Sequence, residues 1–199
     1  MNKLSTHIRK EQLIRGVLKV IARDGTKRLS VASVSREVGL VPSALYRHFH
    51  SKDQMLEAVL DYIVGRVQHN FHEIFEETED PLLRIELFVQ RQLKIIKESP
   101  AIPTVVFSQG LFSEDASRRK KIFDVFNQFR QSLGMMVKMG QRSGTIRSDL
   151  SAETVILLLV GIIQPAAMLY YLSNGHYDLE RNGRKAWKLL KDMIETKRK

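Results

Sequence analysis

The chain has 199 residues, with 32 Lys and Arg against 22 Asp and Glu, a formal charge of +10. At 43% hydrophobic and 27% charged residues it has a globular composition, which excludes a disordered or collagen-like chain. Cys is absent, so disulfide frameworks, thiolate metal sites and cysteine nucleophiles are excluded, and the composition suits a reducing cytosol.

The charge is unevenly placed. Residues 1–52 carry 11 basic and 3 acidic residues, residues 53–62 carry three acids and no base, residues 63–179 hold 13 of each sign, and residues 180–199 hold 8 basic and 3 acidic residues. A basic quarter on a neutral body points to a module that binds a polyanion, because Lys and Arg that neutralise phosphates release condensed counterions. A merely solvated basic surface has the same arithmetic, so a motif has to decide between them. The N-terminus shows no secretory signal: Met1 to Lys10 is polar, and the first apolar residues are spaced for an amphipathic helix.

Apolar residues recur at three and four along the chain, and two-residue alternation is missing, which predicts an all-α protein. The first helix runs from about Thr6 to Arg23 and ends at Asp24-Gly25. Ser30 opens a second helix that Gly39 stops, and Pro42 starts a third that continues to about Phe49. Ser51 and Gln54 have capping-box spacing and mark a fourth helix from about Lys52. After Glu79-Asp80-Pro81 an amphipathic helix carries Leu82, Ile85, Phe88, Leu93 and Ile96 to the residues before Pro100. Pro100 and Pro103 punctuate a short segment around Thr104 to Gly110. A long helix from Ser113 closes at Ser143-Gly144, and Thr154 to Leu172 form a very apolar helix capped by Ser151 or Asp149. Pro165 within it predicts a kinked but continuous helix, since its ring presses on the carbonyl of Gly161, with a break into two helices as the competing outcome. A last helix spans about Leu179 to Thr196.

Ser30 to Phe49 has the spacing of a helix-turn-helix. Val34, Val38, Leu40 and Leu45 are expected inside, Gly39 accepts the left-handed turn, and the small Ser35 lets the two helices approach. A helix pair alone also serves as a plain packing unit. The residues Gly39 to Leu56, and above all Leu45, Tyr46, His48, Phe49, Ser51, Lys52 and Asp53, resemble the DNA-binding domain of TetR-family repressors. The length and helical remainder of the chain also fit that family. Ser35 and Val38 stand where the family usually has Ala, and Val41 where it usually has Ser or Thr, so Val41 cannot cap the third helix through its side chain.

The resemblance implies an N-terminal three-helix helix-turn-helix DNA-binding domain over residues 1–52, and a C-terminal helical effector-binding and dimerisation domain over residues 53–199. The third helix is expected in the major groove of a double-stranded DNA operator, with Ser43 and Ala44 at base edges and Ser30, Tyr46, His48 and Lys52 at phosphates. Arg36 and Arg47 are expected to add nonspecific attraction. Each position also has a structural alternative: a helix cap for Ser30, packing for Tyr46, a solvated charge for Lys52. Leu45 and Phe49 are assigned to the core.

The resemblance further implies a cytoplasmic homodimer, with a small-molecule effector in the C-terminal body. Candidate effector contacts are Phe88, Phe107, Phe112, Phe126, Met136 and Met139, an aromatic and Met-rich set that core packing explains equally well. Candidate dimer contacts are Leu158, Ile162, Leu169, Trp187 and Leu190, whose alternative is the core of the monomer. Thr154 to Leu172 approaches the ~20 residues of a membrane span, which raises a membrane-associated or structural helical protein as the alternative. Gln164, Pro165 and the amphipathic helices around it favour a buried helix and no membrane. Enzymatic motifs are missing, so no enzyme and no cofactor is expected. His69 and His72, with Glu73 or Glu76, form a possible metal pair whose simpler reading is a surface pair.

Overall fold

The structure, a computed structural model, describes residues 3–106 and 116–197. Among them are nine α-helices: α1 (Lys3–Asp24), α2 (Val31–Val38), α3 (Pro42–Tyr46), α4 (Lys52–Glu77), α5 (Pro81–Glu98), α6 (Ala101–Val106), α7 (Ala116–Ser143), α8 (Ala152–Leu172) and α9 (Leu179–Ile194), with a 3-10 turn at Thr26–Arg28. The described residues contain no named strand. One isolated bridge pairs Ile146 with Glu195. The all-α expectation therefore holds.

Local chemistry sets most helix ends. The Asp80 carboxylate accepts from the backbone N–H groups of Leu82 (2.8 Å) and Leu83 (3.3 Å), opening α5 behind Pro81. Asp178 opens α9 in the same way by accepting from the Arg181 N–H. α3 stops at Tyr46, short of Phe49: the Leu45 carbonyl takes bonds from both His48 N (2.9 Å) and Phe49 N (3.0 Å), and this tight closure turns Phe49 into the core. The stretch around Pro103 is helical. Pro103 stands third in α6, where a missing N–H removes no intrahelical bond, so proline is compatible with the first turn. α8 runs through Pro165 without a break, and Pro165 is exposed, so the lost bond lies on the solvent side. Ser151 stands at its N-cap but makes no capping bond, and Asp149 is held by Arg147 instead.

Two compact units result. The first draws on residues 1–66 and 99–122, the second on residues 67–98 and 123–199, so the division falls inside α4 and α7. A boundary at residue 52 stands instead at the start of α4.

In the first unit α1 packs on α2 and on α6, and α2 packs on α3. Leu13, Val17 and Ile21 of α1 are buried, as are Val34, Leu45, Phe49, Met55 and Val59. Gly16 makes the α1–α2 approach possible: a Cβ there would lie 2.2 Å from Val38 Cγ1. The methyl of Val38 occupies the space that any other residue at 16 would fill.

In the second unit α5, α8 and α9 pack together. Phe71 and Phe88 stack at 4.5 Å, Phe129 meets both edge-on, and Leu133, Met136, Val155, Leu159, Trp187 and Leu190 complete the core. Close approach recurs at Gly183, where a Cβ would fall 2.1 Å from Leu93 Cδ1. Arg84 is 5% exposed and lies over the Phe75 ring at 4.2 Å. It donates to the carbonyls of Thr78 (2.6 Å) and Phe75 (3.3 Å), so a buried cation satisfies carbonyls left open at the end of α4.

The Gly16 contact is testable. Gly16→Ala should destabilise the protein by about 1–3 kcal/mol through overpacking against a stiff β-branched neighbour. Adding Val38→Ala should recover part of that loss. A thermal melt of the three variants measures both effects, and strict additivity would show that the two positions do not touch.

Candidate nucleic-acid interface

The helix-turn-helix is built by backbone chemistry at three points. Ser30 caps α2: its Oγ accepts from Ser33 N at 3.1 Å, while Ser33 Oγ accepts from Ser30 N at 2.9 Å. This is a capping box with serine at the third position, where the common residue is Glu or Gln. At the other end Gly39 is left-handed (φ 68°, ψ 32°), and the Ser35 carbonyl accepts from Leu40 N at 2.9 Å. Val41 then holds extended backbone and Pro42 opens α3, with no side-chain cap from Val41.

That turn sorts the side chains. Val34, Ser35, Leu45 and Phe49 are buried, and Val38 and Leu40 are half-buried. Ser43, Tyr46, Arg47 and His48 are exposed, and Ala44 is half-buried. Ser30 and Arg36 are exposed on α2, and Lys52 is half-buried in the first turn of α4. Tyr46 is 49% exposed, which leaves its phenol free of the core. The first turn of α4 is held by Ser51 Oγ, which accepts from Gln54 N (3.2 Å), while Gln54 Oε1 accepts from His50 N (2.7 Å). The reciprocal arm reaches one residue further back than a standard box and fixes the backbone that carries Lys52.

Electrostatics sharpen this face. The three acids of residues 1–52 are engaged by bases on α1: Glu11 by Arg15 (2.8 Å), Asp24 by Arg23 (2.9 Å), and Glu37 by Arg23 (2.8 Å) and Lys19 (3.9 Å). Among the described residues Arg36, Arg47 and Lys52 form no ion pair within 4.0 Å, and Arg36 acts on Asp24 only through its charge. The hydrogen bond from Arg23 holds the Asp24 carboxyl below the usual carboxylate range, and the charges of Arg23, Arg28 and Arg36 act the same way. A depressed acid stabilises the fold above its ordinary value and loses that contribution as pH falls through the lowered one. The Arg23 network ties α1 to α2. Periodicity could not reveal it, because Arg23 and Glu37 are remote in sequence.

The second unit holds the other candidates. Phe88 and Met136 are fully buried, while Phe126 and Met139 are half-buried, Met139 with its sulfur 3.7 Å from Arg84 Nη1. Phe107 and Phe112 lie outside the described residues. A groove of about 810 Å3 opens elsewhere in this unit, lined in part by Arg147, Leu150, Thr154, Leu158, Met193 and Thr196. None of the effector candidates lines it.

Of the dimer candidates, Leu158 (43%) and Leu169 (42%) are exposed and Ile162 is half-buried. Trp187 and Leu190 are buried in the chain's own core, so their apolar surface is already covered. The outward positions of α9 are Leu189 (68%) and Met193 (59%). α8 is long and apolar enough to cross a membrane by length and composition. One side of it is nevertheless committed to the core, through Val155, Ile156, Leu159, Ile163, Ala166 and Ala167. His69 and His72 face solvent, each 3.3 Å from the carboxylate four residues on, Glu73 and Glu76.

Comparison with known proteins agrees with this geometry. Residues 13–59 match the family model described as bacterial regulatory proteins, tetR family, and residues 58–193 match that described as YsiA-like protein, C-terminal region. Over 193 residues the chain is 26% identical to the nucleoid occlusion factor SlmA of Aliivibrio fischeri (strain MJ11), covering 94% of this chain and 96% of that protein. Its fold is similar to that of the ketosteroid transcriptional regulator KstR2 of Mycobacterium tuberculosis, with a TM-score of 0.76 and 19% identity over 95% of this chain and 96% of that one. It is equally similar to that of the transcriptional regulator FadR from Bacillus subtilis, solved in complex with stearoyl-CoA: TM-score 0.76, 19% identity, 90% and 96% coverage. With both family models matched, together spanning residues 13–193, the chain belongs to the TetR family of non-enzymatic, DNA-binding transcriptional regulators.

Proposed function

We infer that this regulator is a cytoplasmic repressor that binds a two-fold operator as a homodimer and releases it when the second unit takes up an apolar or amphipathic molecule. The observation that carries the dimer is the outer face of α8. Leu157, Leu158, Gly161, Pro165, Met168, Leu169 and Leu172 are exposed there and recur at three and four, with no charge among them. A continuous exposed apolar face of that length needs a partner. A second copy is the partner that DNA reading favours, because α3 offers few base contacts and a two-fold axis doubles them at a spacing of ~34–36 Å or a multiple of it.

On the DNA side, Ser43 and Ala44 meet base edges, where a hydroxyl donates or accepts and a methyl packs on thymine. Ser30, Tyr46, His48 and Lys52 contact phosphates, and Arg36 and Arg47 add attraction at longer range. Lys52 stands at a helix N-terminus, where the dipole disfavours a cation, and a phosphate in the complex offsets that cost. The effector reading draws on the aromatic core of the second unit and on the complex of FadR with stearoyl-CoA. α4 contributes to both units, so a change at residues 67–77 is carried by an unbroken helix toward Lys52. Moving the operator-bound state from 99% to 1% needs a molecule that prefers the released state about 10⁴-fold.

The likeness to SlmA supports a second reading, in which DNA binding serves nucleoid occlusion rather than one promoter. Mapping bound sites across the genome separates the two: a few promoter sites fit the repressor, and many dispersed sites fit the second reading.

Three variants test the DNA face by titration against an operator-containing fragment. Lys52→Ala should weaken binding to all sequences and reduce the slope of log affinity against log salt by about one. Tyr46→Ala should weaken binding without changing preference, whereas Ser43→Ala should change which base is preferred. For the dimer, Leu157→Glu combined with Met168→Glu places charge on exposed positions of α8. Sedimentation should then show a monomer with unchanged helical circular dichroism, and operator affinity should fall at least about tenfold. A dimeric double variant would refute the α8 face.

A further inference from the structure

Charge on α9 is divided between a side that the chain pairs for itself and a side that it does not. Glu180 holds Lys97 (3.1 Å) and Arg184 (3.9 Å), and Lys191 lies 3.8 Å from Glu86, so the side turned toward α5 is paired within the chain. Arg181, Lys185, Asp192 and Glu195 are exposed and form no ion pair among the described residues. Arg181, Lys185, Leu189 and Asp192 recur at four, four and three, which sets them on one stripe of the helix. Glu195 follows at the C-cap. The stripe has an order: two bases first, Leu189 at 68% exposure in the middle, two acids last. Lys188 falls on the flank turned away from Met193.

This stripe borders the exposed apolar face of α8. Leu158 of α8 and Asp192, Met193 and Glu195 at the end of α9 line one groove of about 810 Å3. Whatever covers the outer face of α8 therefore also meets Met193 and the charges beside it. An anionic surface, whether lipid or nucleic acid, brings like charge to Asp192 and Glu195. A basic partner does the same to Arg181 and Lys185. A second α9 laid antiparallel presents the opposite charge at each point: with Leu189 of one copy against Leu189 of the other, Lys185 falls beside Asp192 of the second copy and Arg181 beside Glu195 of the second copy. Each pair then occurs twice about a two-fold axis. Laid parallel, the same helices set base against base and acid against acid.

We propose that the charge order of α9 selects a second copy of this chain as the partner: the two α9 helices cross antiparallel at Leu189, and Lys185 of each copy pairs with Asp192 of the other. This rests on the reading of the α8 face as the dimer face and adds what decides which chain covers it. Charge pairs at an interface rim contribute little to affinity and more to partner choice, because a partner without the matching order sets like charges together.

The test mixes two differently tagged variants of the intact protein, Lys185→Glu and Asp192→Lys, and counts the dimers by native mass spectrometry. Each variant alone sets like charges together at both points, and its homodimer should dissociate at least about tenfold more readily than the wild type, with unchanged helical circular dichroism. Mixed, the two regain both attractive pairs. The heterodimer should then exceed each homodimer at least about tenfold, against about twofold for random mixing, and the excess should shrink in ~1 M salt. Lys185→Glu/Asp192→Lys in one chain exchanges the two charges and should restore the homodimer. Random mixing, or a double variant that dimerises no better than the single ones, overturns the charge order and leaves the α8 dimer in place. A wild-type protein that sediments as a monomer overturns both.

Discussion

Where α1 crosses α2, the backbone at Gly16 comes so close to Val38 that no Cβ fits between them, and the placement of the exposed side chains of α3 follows from that approach. α1 supplies the buried surface on which α2 rests, α2 supplies the turn at Gly39, and the turn sets the direction of α3. An α3 of only five residues cannot hold itself in place, since isolated helices of that length are unstable in water. Its order comes from Leu45 and Phe49, both buried, and from two N–H groups converging on the Leu45 carbonyl. Ser43, Tyr46 and Arg47 are then left outside because their neighbours are inside.

The same economy governs charge. The acids of residues 1–52 are gathered onto α1 by Arg15, Arg23 and Lys19, and the Arg23–Glu37 pair also braces α2. These pairs are exposed and contribute little to stability individually. Arg47 and Lys52 stay outside them and form no ion pair among the described residues. The second unit has the opposite character. From Leu157 to Leu172 its outer α8 face carries no charge, and its core holds stacked aromatic rings. One unit therefore suits a polyanion, and the other suits apolar partners.

Much of this was legible in the sequence because helix ends are written in local chemistry. Ser30, Gly39, Pro42, Ser51 with Gln54, and Pro81 each act within four residues of themselves, and each stands at or beside the boundary expected of it. The failures share a cause. The role of Gly16 has no local signal, because only the fold brings Val38 against it. Trp187 and Leu190 have the periodicity of a buried face, and periodicity cannot say whether the chain's own core or a second copy covers that face. Pro100 and Pro103 read as punctuation, yet proline in a first helical turn breaks nothing, and α6 formed there. The basic residues of α9 fall on its solvent side, and Arg184, Lys185 and Lys188 line its outer surface, which gives the second concentration of positive charge a place.

Two copies of the basic helix-turn-helix are expected to read one two-fold site. Selection of bound sequences from a random double-stranded DNA pool by the intact protein, at physiological salt, tests that directly. Recovery of an inverted repeat whose half-sites are centred one DNA turn apart, ~34–36 Å, or a small multiple of it, is the predicted result. Recovery of no enriched sequence, or of an isolated half-site without a symmetric partner, would contradict it.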